Sequence, residues 1–437
     1  MLVNKENSHN GIHFSSVQSD KFKASVLVFS IILPLSPIAM AHCLLLSGLL
    51  RRGTHTFPSM SELNRRLDEL YGSYVEIRSS LIGNNLCLVI STEILDNKYI
   101  PDQTDVIDGV IDIISQILLT PHLCDDNFDV KLFSQEKKIV YDNLLAEKNN
   151  TRAYSIKRCT ELLGENTSLA PTYQELKQLV KDASFEDVKE YYTKVILPSP
   201  IDVFYMGASE SSQIKEKIKL HFPQKASAPL YAVLPPIAYT RKEFSLVKEK
   251  MAVSQGKLAL GFSTGVTISA TDDRYYAALM LNEIFGGSAS SKLFVNVREK
   301  MSLCYYCSSS YSIYTGALMV SCGIEVNRFD IAKKAILSQL EDIRNGKISE
   351  HELKAAKKSI SNSYRQLYDS PFDVQSFYSG RELFGVADGI KECISKLMAV
   401  TTKEIIELAK LVSLDAIFFI EGTEENTEIE EGDTYND

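Results

Sequence analysis

A chain of 437 residues, 45% of them hydrophobic and with no long low-complexity tract, exceeds what one core usually serves and is expected to fold as two or more domains. Its formal charge of −9 is concentrated at one end, because Glu421 to Asp437 holds eight acids and no base, leaving the first 420 residues at about −1. A body so near neutral offers no overall basic attraction and excludes nucleic acid as an expected partner, while residues 424–437 read as a solvated, disordered acidic tail.

From Ala24 to Leu50 there are 27 residues without a charge, long enough to cross a bilayer as a helix. Pro34 and Pro37 sit near the middle, and each would remove a backbone donor and clash with the preceding helical turn. Two elements fit better: a buried strand over Val26–Leu33 and a helix over Ile38–Leu50 that ends before Arg51, Arg52 and Gly53. The first twenty residues mix charges and lead to no small-residue cleavage site, so neither a membrane span nor a signal peptide is expected.

Beyond this point the segment SELNRRLDELYG at 61–72 leads into an extended hairpin ending in Ser-Thr-Glu at 91–93. An amphipathic helix follows over Val106–Leu119, then a long charged helix over roughly Asp126–Lys148. TELLG at 160–164, FEDVKEYYTKVI at 185–196, the strand DVFYMG at 202–207 and a short polar helix at about 211–221 complete the first half. Pro223, Pro229, Pro235 and Pro236 mark an ordered but non-core linker.

The chain then resembles itself at an offset of about 230 residues, shrinking to about 215. FSIIL at 29–33 is answered by LALGF at 258–262, and the helix before Gly53 by one ending at Ile284 before Gly286. SSKLFVNVREKMSLCY at 290–305 answers residues 61–72 and opens a second hairpin ending in Gly-Ile-Glu at 323–325. Helices over Ile331–Ile343 and Ser349–Tyr368 come next, and RELFG at 381–385, TKEIIELAKLV at 402–412 and AIFFIEG at 416–422 close the series. The expected fold is α+β, two homologous domains each with a mostly antiparallel sheet packed with helices, facing across a cleft where ligands tend to bind. The domains would span 1–210 and 242–423, joined by a linker with a short helix over 211–241.

Eight cysteines lie mostly in apolar runs, as in LCLVI around Cys87 and MVSCGIE around Cys322, which is how free thiols look in a reducing cytoplasm. Cys304 and Cys307 form a lone C-x-x-C. Strict alternation along a strand puts residues three apart on opposite faces, and no second C-x-x-C completes a zinc site, so these read as core or edge thiols.

The architecture, with RRGTHTFPSMSELNRRLDELYGS at 51–73 and GGSASSKLFVNVREKMSLCYY at 286–306, resembles the insulinase and pitrilysin clan of zinc peptidases, which includes mitochondrial processing peptidase. The resemblance covers nearly the whole chain. Its most specific part is a Gly-rich turn, Ser-Ser, Leu-Phe, a VRE(K/R) string and a Tyr seven residues past the Arg, matched here by Gly286, Gly287, Ser290, Leu293, Arg298, Glu299 and Tyr305. The family's chemistry sits on an inverted His-x-x-Glu-His motif, in which two imidazoles one helical turn apart bind zinc and the Glu activates water. Anchored on Gly53 and Thr54, those five positions are Leu44, Leu45, Leu46, Ser47 and Gly48. The third ligand, a Glu seven residues after another Glu, falls on Asn143 while Glu136 matches the earlier one.

The resemblance therefore implies a peptidase homologue with no catalytic residues, no metal ligands and no cofactor of its own. His42 has no partner four residues on, and His351 with Glu352 lacks a second His, so the latter pair reads as a charged first helical turn. What the resemblance leaves is peptide handling: Arg298 and Tyr305, behind the turn at Gly286 and Gly287, would contact a peptide or unfolded polypeptide substrate. Because inactive members of the clan often pair with an active one, the expected assembly is a cytoplasmic heterodimer with a zinc-binding homologue, away from membranes. Alternatives are an autonomous zinc endopeptidase with non-standard ligands and a peptide-binding scaffold without a peptidase partner. The sequence most resembles a bacterial subgroup associated with elongation factor P modification.

Overall fold

The computed structural model describes residues 4–9, 11–125, 128–222, 233–240 and 243–423, so Asp126, Pro223, Pro229 and the acidic tail at 424–437 lie outside the described residues. Asn4–His9 (β1) and Ile12–Gln18 (β2) form a hairpin ahead of the uncharged stretch. That stretch breaks where its prolines require, into β3 (Ala24–Pro34) and α1 (Pro37–Leu49). Ser36 caps the helix, its hydroxyl accepting from the Ala39 amide at 3.1 Å, and Pro37 takes the first turn, where no backbone donor is missed. No helix among the described residues is long and apolar enough to cross a membrane.

The first half continues with α2 (Met60–Glu69), β4 (Glu76–Ile82), β5 (Asn85–Leu95), α3 (Val106–Leu119), α4 (Val130–Ala146), α5 (Thr151–Gly164), α6 (Tyr173–Asp182), α7 (Phe185–Tyr191), β6 (Ile201–Gly207) and α8 (Ser211–His221). The second half comprises β7 (Ser245–Met251), β8 (Gly256–Ser263), α9 (Arg274–Asn282), β9 (Cys304–Tyr311), β10 (Ala317–Ile324), α10 (Phe329–Arg344), α11 (Glu350–Gln366), α12 (Pro371–Leu383), α13 (Ile390–Ala399), α14 (Thr402–Leu411) and β11 (Ser413–Gly422). Two sheets result, in the orders β1-β2-β6-β3-β5-β4 and β7-β11-β8-β10-β9. The second repeats the first without its outermost strand: β2 pairs parallel to β6, as β7 does to β11, and the other pairings within each sheet are antiparallel. The internal duplication read from the sequence is thus a duplication of topology.

The central strands of both sheets are apolar on both faces. On β3, Leu27, Phe29, Ile31 and Leu33 join the core that includes α1 and α3, while Val26 and Val28 belong to a separate cluster on the other face. A strand buried on both faces needs two covering layers. The halves supply the second layer by exchange, which the sequence did not reveal. From the first half, α5 lays Tyr154, Cys159 and Leu163 against Ala259, Met319, Ala416 and Phe418 of the second sheet. From the second half, α12 sets Val374 among Val17, Val26, Val28, Val89 and Phe204 of the first. The linker stretch 233–240 is pinned between them, with Asn85 and Leu234 exchanging two hydrogen bonds at 2.8 and 2.9 Å and Tyr239 packed over Gly164.

Candidate functional site

The five positions aligned with the zinc motif lie on the last turns of α1. Leu45, Leu46 and Ser47 point into the core, whereas Leu44 and Gly48, one turn apart, share a partly exposed face. This is the face that two histidines would use. Here Glu136, buried on α4, fills it: a Cβ added at Gly48 would overlap the Glu136 carboxylate, and that carboxylate pairs with Arg52 just past α1. Asn143, seven residues and so about two turns further along α4, is exposed and neutral. One carboxylate already neutralised by a guanidinium, with no imidazole on the facing turn, does not fit a zinc ion.

Neither remaining histidine candidate rescues the site. His42 is half-buried and packs edge-on against Tyr191 at 5.4 Å, and burial holds its imidazole below the usual pKa. His351 is exposed in the first turn of α11, where Ser349 and Glu352 form a capping box and Glu352 also meets Lys292 at 2.7 Å.

The matching corner of the second half keeps its family pattern. Helix α9 runs on through a wide turn over Glu283–Gly287, and a second wide-turn helix spans Leu293–Lys300. Gly286 is buried because its backbone lies against the strand: an added Cβ would sit 2.7 Å from the Ser309 amide nitrogen and from Leu293 Cδ1. Gly53, its counterpart, is crowded in the same way by the Phe57 carbonyl at 2.5 Å and has φ of 148°. Gly287 is exposed at the surface of the turn. Arg298 projects from the second helix with its guanidinium 4.7 Å from the Phe294 ring, and the Glu299 carboxylate is 3.5 Å from it.

Tyr305 stands at the start of β9 and is 59% exposed. A bulge puts it there: Cys307 pairs with Cys322 and Tyr306 with Gly323, but Ile324 pairs with Cys304, so Tyr305 is the extra residue. The expected opposition of Cys304 and Cys307 across the strand is therefore corrected, since the inserted residue returns both to one face. With Cys322 of β10 they form a trio whose sulfur atoms all lie within 4.8 Å of one another. Hydrogen bonds from the Cys307 and Cys322 thiols, with the nearby Arg298 charge, hold the Cys304 thiol below its ordinary range. On the other face of the bulge, Arg152 of α5 lies 4.1 Å over the Tyr306 ring and donates to Ser308 at 3.0 Å, so the exchanged helix backs this strand.

A cavity of about 510 Å³ opens elsewhere, between the outer face of the first sheet and α12. Its wall carries His13, Arg78, Asp202 and Glu382 over an apolar floor that includes Val28 and Phe204. His13 Nδ1 and Asp202 Oδ1 are 2.9 Å apart, and that hydrogen bond raises the imidazole pKa. Neither this cavity, nor Arg52, nor the thiol trio was singled out from sequence, because each joins residues from distant segments. The one local clue was an Arg-Arg-Gly directly after a helix that should have carried metal.

Fold and corner together define a metallopeptidase-like protein without the metallopeptidase's metal centre. The family description "Peptidase M16 inactive domain" matches residues 182–360. A Bacillus subtilis (strain 168) protein called probable inactive metalloprotease YmfF is 30% identical over 419 residues, spanning 96% of this chain and 98% of its own length. A second protein of that organism, the uncharacterized zinc protease YmxG, is 24% identical over 286 residues, 65% of this chain and 68% of its own. Among solved structures, a conserved protein from Enterococcus faecalis V583 matches with a TM-score of 0.85 at 26% identity, each chain covered in full. A peptidase M16 inactive domain from Pseudomonas fluorescens matches at 0.76 and 15% identity, over 97% of this chain and 99% of its own. The chain belongs to the M16 peptidase family, as an inactive homologue of its metalloproteases.

Proposed function

We propose that this protein is the non-catalytic subunit of a cytoplasmic processing peptidase, binding peptide or unfolded polypeptide and completing a chamber with a zinc-bearing homologue. One observation carries the reading: the corner that should hold zinc is closed by the Arg52–Glu136 pair, while the bulge keeps Tyr305 at the surface on the segment that follows Arg298. A core has no use for an exposed Tyr on an inserted residue. Tyr and Arg are the side chains that make strong contacts in polypeptide recognition, the first through a rigid amphipathic ring and the second through a planar fork of donors. In the proposed complex, Arg298 and Tyr305 hold substrate, the exposed Gly287 leaves room beside them on a turn that the buried Gly286 seats against Ser309, and the partner supplies metal and base. Domains over 1–210 and 242–423, joined through 211–241, would form this chain's half of the chamber.

An autonomous zinc peptidase finds less support. Among the described residues, the group of three or more ligating side chains close enough to hold one ion is the thiol trio, away from α1. Isolation from the native host with mass spectrometry of the bound proteins tests the subunit reading. It expects a His-x-x-Glu-His homologue in stoichiometric amount; complexes lacking any such protein would favour a scaffold instead.

A further inference from the structure

We propose that Cys304, Cys307 and Cys322 form a binding site for a thiophilic d10 metal ion, zinc(II) by charge, at the base of the strand that presents Tyr305. The argument begins with placement. Cys307 and Cys322 face each other across β9 and β10 on the core side, and the bulge at Tyr305 brings Cys304 to the same side one step further on. Three thiols from two strands converge, all three sulfurs within 4.8 Å of one another. Zinc–thiolate bonds of about 2.3 Å place the sulfurs around one ion roughly 4 Å apart, so the trio closes on an ion with little movement. The other five cysteines are scattered in both halves.

Burial and charge narrow the choice of ion. Cys307 and Cys322 are almost wholly buried, which shields two ligands from exchange, while Cys304 is only partly buried and is the side from which a fourth ligand would reach a tetrahedral ion. Loading displaces to solvent whatever protons the thiols carry, and three thiolates around a divalent ion leave one negative charge. Arg298 supplies the opposite charge, being close enough to act on Cys304. A monovalent ion such as copper(I) would leave two negative charges against that single cation. Bound metal would clamp the bulge and fix the direction of Tyr305, coupling the site to the surface assigned to substrate. The metal site does not depend on that assignment.

The test is zinc titration of the full chain, purified in phosphine reductant and stripped by chelator, against a chromophoric competitor, with cobalt(II) substitution as the spectroscopic check. One zinc per chain and a thiolate-to-cobalt charge-transfer band are expected. Cys304→Ser, at the least buried of the three positions, is expected to weaken zinc by more than the roughly 10–100-fold that loss of an outer-shell partner costs. Cys124→Ser, far from the trio in sequence and half-buried, should bind as the parent does. Absence of binding with all eight thiols titrating free, an unchanged affinity in Cys304→Ser, or a Cys307–Cys322 disulfide that persists in reductant would each overturn the site. None of these outcomes bears on whether a peptidase partner exists.

Discussion

The two corners that the duplication relates have kept one structural device and separated in the rest. In the first, Arg52 just past α1 meets Glu136 of α4; in the second, Lys292, beyond the Gly-Gly turn and at the start of the Leu293–Lys300 helix, meets Glu352 of α11. Each pair ties the segment after a half's first helix to its long charged helix, largely out of solvent, although the two cations come from non-equivalent positions of the repeat. Around that shared tie the first corner is apolar and closed, with Leu44, Leu45 and Leu46 where metal chemistry would be. The second retains a Gly-Gly turn, an Arg and an outward Tyr. When the metal ligands are gone, the buried Glu136 still needs a cation, and a guanidinium from the adjacent turn serves.

The largest effect should come from breaking that tie. Arg52→Leu leaves the Glu136 carboxylate buried and unpaired and is expected to cost about 3–5 kcal/mol in urea unfolding, whereas Arg52→Leu with Glu136→Leu should recover most of it. Equal losses in the single and double variants would show that the pair does not hold the corner. Next in size is the exchanged helix. Leu163→Ala on α5 empties a fully buried position against the second sheet, and a loss of about 2–5 kcal/mol is expected. Hydrogen exchange should locate the loosened amides in β8 and β11 rather than in the first sheet; protection lost only in the first half would contradict the exchange.

A smaller contrast compares the two crowded glycines at the corners. Gly286→Ala pushes a methyl group onto the Ser309 backbone, which cannot step aside, for an expected cost of about 1–3 kcal/mol. Gly48→Ala meets the end of the Glu136 side chain, which can rotate, so calorimetry should show the lesser loss there. The smallest effect is at His13. Its pKa is raised above 6.5 by Asp202, so this pair's contribution is fully present below that value and is lost as pH climbs through the raised one. NMR titration should find the His13 pKa elevated and Asp202→Asn returning it toward 6.5; an unshifted parent would remove the pair from the account.

Much of the fold could be read along the chain, because its signals are local. Pro34 and Pro37 divide the uncharged stretch in the structure as they do on paper, and α3 keeps its expected limits at Val106 and Leu119. The echo of TELLG in RELFG marked the ends of α5 and α12 without showing that each crosses to the other half's sheet, since an amphipathic pattern names a buried face but not what covers it. The lost zinc motif was equally legible once the chain was set against the family it resembles, whose motif anchors on Gly53 and Thr54. Its replacement was not, because Arg52 and Glu136 are separated by α2, the β4–β5 hairpin and α3. Tyr305 followed from the family resemblance, yet its bulge has no glycine or proline on its own strand to announce it, and with the bulge went the proximity of Cys304 to Cys307.

The most direct test of the central claim is a peptidase assay of the purified chain alone, of its isolated zinc-bearing partner, and of the two combined. The account predicts no cleavage by this chain alone with or without added zinc, and turnover by the combination that falls in Arg298→Ala with Tyr305→Phe. Chelator-sensitive cleavage by this chain alone would contradict it.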